Sequence, residues 1–216
     1  DFEDQFLASM GMDRCDALIW DMVRDEAPLP GKDVAGVLIT GSLDMLMEER
    51  PWMKREAAWV RDTVESGVPV LGVCFGHQML SWALGGEVGW NPVGPEFGTV
   101  MLTLNEAARE DELFRGLPTN LAAQAVHSQS VIRLAPGATV LAGNAHDPHH
   151  AVRYGTQAWG LQIHPEFDES LTRMSVELCR DMLEEKGISV STLLERIRPT
   201  PLSMVLGYAS ELEDDC

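Results

Sequence analysis

Cysteine is scarce in this chain: Cys15, Cys74, Cys179 and Cys216 are the only four in 216 residues. No two of them lie at the C-x-x-C spacing, so neither a zinc site nor a dithiol redox motif of that kind is indicated. Four scattered cysteines also do not form a disulfide framework. This usage is typical of a reducing compartment, and we expect a cytoplasmic protein.

Basic residues and long apolar runs are also few. Sixteen Lys and Arg stand against 34 Asp and Glu, a net charge of −18, and no basic cluster occurs. Phosphate binding needs clustered Lys and Arg, so we expect no nucleic-acid partner and no anionic lipid surface. No apolar run approaches the ~20 residues of a membrane span, and no signal peptide is visible. The sequence therefore predicts a protein that binds no membrane.

The first 85 residues alternate between helical and strand patterns. Helices are predicted at 2–12 and 52–64, and strands at 17–20, 34–40 and 68–73. Such alternation is typical of a parallel sheet covered by helices. The chain starts at Asp1 directly in a helical pattern, which suggests that a first strand precedes it in a longer protein.

The middle of the chain changes to short, closely punctuated strand patterns at 99–104, 122–130, 139–142 and 151–154. A buried strand at 158–164, an amphipathic helix at 170–185 and a helical tail at 189–216 follow. The predicted apolar face of the helix consists of Leu171, Met174, Leu178 and Met182. Residues 1–216 are therefore predicted to form a single α/β domain. Its expected architecture is an open, mostly parallel sheet with helices on both faces and a small antiparallel elaboration.

Cys74 stands between a predicted buried strand and a predicted helix, with Gly72 and Gly76 two residues to either side. This is the thiol form of the Gly-x-nucleophile-x-Gly elbow, a turn so tight that large neighbours would clash. The sulfur is expected at the carboxyl end of the sheet, facing a helix amino terminus that favours a thiolate.

A cysteine nucleophile needs a base and a group that orients the base. His164 follows the apolar strand segment at 159–163, and Glu166 comes two residues later, past a proline that restricts the backbone. Acyl transfer also needs N–H donors for the developing oxyanion. The amide of Phe75 and the turn at Gly41 and Ser42 are the predicted donors.

Each of these features alone is weak, because a lone buried cysteine is more often a core residue than a nucleophile. Their combination at the ends of two predicted strands favours a catalytic site. His146, His149 and His150 with Asp147 suggest a metal, but the segment fits a polar hairpin tip better, and we predict no metal and no cofactor.

The stretch from Gly72 to Gln78, with His164-Pro165-Glu166 about 90 residues later, resembles the class I (triad) glutamine amidotransferases. Thr40-Gly41-Ser42 is similar to the oxyanion loop of that family, although Leu43 stands where the family often has proline. The resemblance is greatest to the stand-alone branch similar to the amidotransferase domain of GMP synthase. It implies a flavodoxin-like fold and covers residues from about 16 to about 183.

The resemblance implies that Cys74, His164 and Glu166 hydrolyse the γ-amide of L-glutamine through a γ-glutamyl thioester. It also implies that Gln78, His127 and Ser128 contact the substrate, the last two through their backbone. No synthetase domain is fused, so an ammonia acceptor would belong to a separate subunit. Two alternatives stay open: a γ-glutamyl hydrolase or peptidase that uses the same triad, and a catalytically silent binding or regulatory subunit.

Overall fold

The computed structural model describes residues 2–24 and 34–200, which form an α/β fold around one main sheet. The helices are α1 Phe2–Met10, α2 Pro51–Glu65, α3 Phe75–Ala83, α4 Glu106–Arg109, α5 Glu169–Leu178, α6 Arg180–Glu185 and α7 Val190–Arg196. The strands are β1 Val37–Ile39, β2 Val70–Val73, β3 Glu87–Trp90, β4 Glu96–Leu104, β5 Asn120–His127, β6 Gln129–Arg133, β7 Ala138–Gly143, β8 Ala151–Tyr154 and β9 Ala158–Leu161.

The main sheet has seven strands in the order β1-β2-β9-β8-β7-β4-β5. Strands β1, β2 and β9 run parallel, and Val73 of β2 stands opposite Leu161 of β9. The other neighbours in this sheet pair antiparallel, and β3 and β6 form a separate antiparallel pair. The predicted fold class is confirmed, with the antiparallel strands divided between the far half of the main sheet and the small second sheet.

Helices cover both faces of the parallel strands because side chains alternate along β2. Val70 packs with the apolar residues of α2 and α3, whereas Leu71 and Val73 pack on the opposite face with Phe6 of α1 and Ala108 of α4. A third cluster joins α5, α6 and α7 to Phe97 of β4. The strand that leads into Cys74 is therefore buried between two layers of the core.

Three predicted elements differ from the structure. The strand predicted at 122–130 is divided at Ser128 between β5 of the main sheet and β6 of the second sheet. Residues 17–20 form no strand: Leu18 and Ile19 are exposed, and no strand in the described part of the chain pairs with them. The helix predicted at 170–185 is divided at Cys179. Its buried face also differs, because Val176 packs beside Phe97 while Met174 and Leu178 are exposed.

The carboxyl-terminal tail is helical at α7, and its residues 201–216, with Cys216, lie outside the described part. Among the helices that the structure describes, none is long and apolar enough to cross a membrane.

Candidate active site

Cys74 occupies a sharp turn between β2 and α3. Its backbone has φ 52° and ψ −103°, a conformation that residues other than glycine rarely adopt. Its N–H donates to the Leu161 carbonyl of β9 (2.7 Å), and its carbonyl accepts from Gln78 N of α3 (3.1 Å). Strain of this kind persists where the surrounding structure enforces it, and it is common at functional sites.

The two elbow glycines allow the close packing that enforces this turn. A Cβ atom on Gly72 would lie 2.4 Å from the Gly76 carbonyl oxygen. A Cβ atom on Gly76 would lie 2.1 Å from the carbonyl oxygen of Ile39, at the end of β1. Both contacts are with backbone, which cannot rotate away as a side chain can. The steric reason for the Gly-x-Cys-x-Gly pattern is therefore present in the structure.

His164 and Glu166 follow β9, the strand beside β2. Nδ1 of His164 donates to Oε1 of Glu166 (2.6 Å), and both side chains are buried. The His164 ring also stacks on Phe167, with 4.2 Å between ring centroids. Since β2 and β9 are parallel neighbours, Cys74 and His164 share one edge of the sheet. The carboxylate orients the imidazole and favours its charged form.

Opposing effects act on the pKa of His164. Burial is the largest and lowers it, but the charges of Glu166 and Cys74, with hydrogen bonds to both side chains, together raise the pKa to about 10. The imidazole is therefore protonated at neutral pH. A charged imidazolium between a carboxylate and a sulfur stabilises a thiolate and can give a proton to a leaving group.

A glutamine that the sequence interpretation missed contacts the sulfur. Nε2 of Gln162 donates to Sγ of Cys74 (3.7 Å), and the Cys74 thiol lies 3.6 Å from the Val126 carbonyl oxygen. One signal in the sequence could have found it: along an extended segment, Gln162 and His164 fall on the same side.

Gln78, the predicted substrate contact, holds this network in place. Its Nε2 donates to Oε1 of Gln162 (3.1 Å) and to the Gln129 carbonyl (2.8 Å). The side chain is buried and extends from α3 to the start of β6 and to the residue that follows β9. The structure thus gives Gln78 a supporting position behind Gln162, while a contact with substrate stays a prediction.

The predicted oxyanion donors follow two neighbouring parallel strands, β2 and β1. Phe75 is the first residue of α3, and its ring packs against Trp52 in the first turn of α2 (5.7 Å between centroids). Gly41 and Ser42 follow β1, which pairs with β2. Ser42 Oγ accepts from Asp44 N (3.1 Å), which shapes this loop. The roles of all three backbone amides stay predictions.

His127 directly follows Val126, whose carbonyl oxygen lies 3.6 Å from the Cys74 sulfur, but the His127 side chain points elsewhere. Its Nε2 faces Oε2 of Glu96 (3.1 Å) and its Nδ1 faces the Gln129 carbonyl (3.1 Å). The Ser128 carbonyl accepts from Asn91 N (3.0 Å). A substrate contact by this segment therefore stays a prediction that concerns its backbone alone.

His77 lies three residues after Cys74, but its buried ring packs against the backbone of β9. Its ring lies over Gly160 of β9, where an added Cβ would be 2.1 Å from Nδ1. Burial is the main effect on its pKa and lowers it to about 3, so the ring is neutral. Gly160 is required because the imidazole occupies the space above it.

Two groups of side chains have the composition of metal ligands among the described residues. Asp13, Cys15 and Asp16 are exposed, whereas Glu96, His127 and His150 are buried. The hairpin interpretation of the histidine-rich segment is right about the β7–β8 turn, but Asp147 and His150 are buried and not at a solvated tip.

Comparison with known proteins identifies the family. Residues 17–182 match the model described as "Glutamine amidotransferase class-I". The chain belongs to this family. A solved glutamine amidotransferase of Thermotoga maritima is 26% identical and covers 89% of this chain and 83% of its own, with a TM-score of 0.70. The family match and the solved structure thus agree with the observed α/β fold that carries the Cys74 elbow.

Two curated relatives carry different names. One subunit of the glutamine-hydrolysing GMP synthase of Ignicoccus hospitalis is 35% identical over 118 residues, which are 52% of this chain and 61% of that protein. Gamma-glutamyl peptidase 5 of Arabidopsis thaliana is 30% identical over 161 residues, which are 70% of this chain and 63% of that protein. The chain therefore spans less than two thirds of the length of either relative.

Proposed function

We propose that this class I amidotransferase domain hydrolyses the γ-amide of L-glutamine to glutamate and ammonia. The observation that carries the proposal is the alignment of a strained Cys74 elbow with the buried His164–Glu166 pair on the neighbouring parallel strand. The packing of α5, α6 and α7 against β4 supports one such domain over the described residues, as far as Ile197.

In the first half-reaction, the Cys74 thiolate attacks the γ-carbonyl carbon of glutamine. The backbone amides of Phe75 and of the Gly41–Ser42 turn would stabilise the oxyanion. His164 then gives its proton to the departing nitrogen, so ammonia leaves as the C–N bond breaks. A γ-glutamyl thioester on Cys74 is left.

In the second half-reaction, His164 is neutral and accepts a proton from a water molecule that attacks the thioester carbonyl. The C–S bond breaks, glutamate leaves, and the thiolate–imidazolium pair is restored. The sum is glutamine plus water to glutamate plus ammonia. Glu166 orients the ring in both halves and balances its charge.

A γ-glutamyl peptidase is the second candidate. The Arabidopsis peptidase aligns with more of the chain than the GMP synthase relative does, 70% against 52%. The same triad would cleave any γ-glutamyl acyl bond, and only the leaving group differs. If ammonia is the product, we infer that a separate synthetase subunit uses it.

Mass spectrometry of the intact protein tests the proposal. The purified chain would be incubated with glutamine, with γ-glutamyl peptides and with a diazoketone analogue of glutamine. We expect an adduct on Cys74 and glutamate release from glutamine. Cys74→Ala should lose both, and Cys179→Ala, at a partly buried thiol away from the elbow, should keep both.

The products distinguish the candidates. Release of glutamate from γ-glutamyl peptides but not from glutamine would replace the first function with the second. No adduct with any of the compounds would contradict both and favour a silent binding or regulatory subunit.

A further inference from the structure

Three buried side chains from separate parts of the chain converge next to the elbow. Glu96 begins β4, His127 ends β5, and His150 directly precedes β8. One ligating atom of each lies within 4.8 Å of the others. Exposure of the three residues is 8%, 4% and 0%. Polar groups buried this deeply need specific partners, because desolvation without them costs on the order of several kcal/mol.

Both ring nitrogens of His127 face oxygen atoms that only accept hydrogen bonds, which a neutral imidazole cannot satisfy. Its Nδ1 lies 3.1 Å from the Gln129 carbonyl oxygen, which only accepts, so Nδ1 carries the hydrogen. The Ser130 hydroxyl is a more distant neighbour of the same nitrogen (3.4 Å). Nε2 of a neutral ring then presents a lone pair to Oε2 of Glu96, an acceptor 3.1 Å away. A cation between these two atoms resolves the conflict.

His150 faces the same carboxylate oxygen. Its Nε2 lies 2.9 Å from Oε2 of Glu96, but without the angles of a hydrogen bond. Its Nδ1 has no hydrogen-bond partner among the described residues. The other Glu96 oxygen accepts from Asn144 Nδ2 (2.8 Å), which holds the carboxylate in place. One carboxylate oxygen thus lies close to two imidazole nitrogens, at 3.1 Å from His127 and 2.9 Å from His150.

This donor set matches a known metal chemistry. Two histidines and one glutamate are a ligand set of zinc, with metal–ligand bonds near 2.1 Å and hence tetrahedral edges of about 3.4 Å. The distances from Oε2 of Glu96 to Nε2 of His127 (3.1 Å) and to Nε2 of His150 (2.9 Å) need to increase by only a few tenths of an ångström to reach this edge length. A histidine whose second nitrogen donates to a backbone carbonyl is also the usual arrangement around a metal.

A second buried carboxylate adds to the negative charge. Asp147, three residues before His150, is 1% exposed, and it interacts electrostatically with both His150 and His127. This second buried carboxylate beside the two imidazoles adds negative charge that a divalent cation would offset.

We propose that Glu96, His127 and His150 bind a divalent transition-metal ion of the zinc type. The ion would join the ends of β4 and β5 to the loop before β8. It would also anchor the backbone next to Val126, whose carbonyl contacts the Cys74 thiol. This site is separate from the triad and does not depend on the proposed hydrolysis.

Titration of the full chain with zinc tests the site. The protein would carry Cys15→Ala and Cys74→Ala, because both thiols have neighbours that could compete for zinc. After treatment with a chelator, calorimetry and elemental analysis should give one zinc per chain, with an increase in the melting temperature.

Variants assign the ligands. His150→Gln and Glu96→Gln should each weaken binding by more than about 10-fold to 100-fold, which is the loss known for changes at partners that only support a ligand. His146→Gln is the matched control, since its ring Nε2 donates to the Gly94 carbonyl (2.9 Å) and not to any of the three ligands. It should bind zinc as the parent does.

Cobalt provides a measurement that does not depend on the folding of variants. Co²⁺ in the parent protein should give the intense visible absorption of a tetrahedral site, reversed by zinc. No saturable binding, a six-coordinate cobalt spectrum, or equal affinity in His150→Gln would overturn the proposal. In that outcome, protons and not a metal neutralise Glu96.

Discussion

The side-chain amide of Gln162 donates to the sulfur of Cys74 across 3.7 Å, and Gln78 holds that amide from behind. Sulfur is a weak acceptor in its thiol form, but a thiolate accepts strongly. The contact therefore contributes most when the nucleophile is ionised. Gln162 therefore contacts the reacting sulfur directly, and it lies only two residues before His164 in the chain.

Gln162→Leu should slow the reaction of Cys74. A single hydrogen bond is worth about 1 kcal/mol, which corresponds to roughly a five-fold loss in the rate of alkylation and of thioester formation. The rates are measured by quenched alkylation followed by mass spectrometry. Gln157→Leu, at an exposed position just before β9, is the control and should react at the parent rate. Equal rates in both variants would show that the Gln162 contact has no part in activating the sulfur.

Glu166→Gln should lower the pKa of His164 from about 10 toward its ordinary value of 6.5. The charge of Glu166 is one of the two that raise it, and glutamine keeps a hydrogen-bonding oxygen without the charge. The change is measured by NMR titration of the imidazole, with Glu169→Gln as the control. An unchanged titration in Glu166→Gln would contradict the electrostatic account.

The same pair predicts a pH dependence of stability. Because the folded pKa of His164 lies above the unfolded value, its stabilising contribution is complete below about pH 6.5 and is lost as the pH rises toward about 10. Between these limits, the free energy of unfolding should fall more steeply for the parent than for Glu166→Gln. Urea unfolding at a series of pH values measures both slopes, and parallel slopes would contradict this expectation.

Glu56 of α2 should destabilise the fold when it is ionised. It is buried, and desolvation raises its pKa from 4.5 to about 7, against a smaller opposite effect of Arg55. The folded state therefore favours the neutral acid, and stability falls as the pH rises from about 4.5 to about 7.

Glu56→Gln removes this ionisation. At about pH 8 the variant should be more stable by roughly 1–3 kcal/mol, given about 1.36 kcal/mol per pKa unit. Near pH 4 the difference should vanish. Thermal unfolding at both pH values measures it, with Glu65→Gln, exposed on the same helix, as the control. A gain that does not depend on pH would rule out ionisation as its cause.

Gly76→Ala should damage the elbow itself. The new Cβ would lie 2.1 Å from the Ile39 carbonyl oxygen, so β1 and α3 must separate. Overpacking of this kind costs about 1–3 kcal/mol or more. Gly155→Ala is the comparison: φ is 64° there, but the space is open, so only about 1–2 kcal/mol of backbone strain is expected. Urea unfolding compares the two, and a smaller loss at Gly76 would contradict the steric explanation.

The sequence predicts those parts of the site that depend on neighbouring residues. The elbow could be identified because Gly72, Cys74 and Gly76 lie within one turn, where sterics leave few choices. His164 and Glu166 could be identified because they follow a buried strand in one short segment. Their place on the same sheet edge as Cys74 is expected from the strand ends and from the family resemblance. That β2 and β9 are direct neighbours is established by the structure.

The remaining differences have the same long-range origin. Gln162 and the Glu96–His127–His150 cluster depend on contacts between distant strands. Residues 17–20 have a strand-like composition, but no neighbour in the described part of the chain pairs with them. Met174 and Leu178 have helical spacing, but Phe97 lies against Val176 on another side of the helix. Local periodicity does not tell which face the fold will cover.

The hydrogen bond from the Cys74 amide to the Leu161 carbonyl has a consequence for how this fold can diversify. The separation of thiol and imidazole depends on strand backbones, namely the β2–β9 ladder and the bond from His164 N to the Gln124 carbonyl of β5 (2.9 Å). It does not depend on the lengths of the loops between those strands. Insertions or deletions in these loops would leave the reactive pair at its spacing. The chemistry and the surroundings that select a substrate can thus evolve independently of each other.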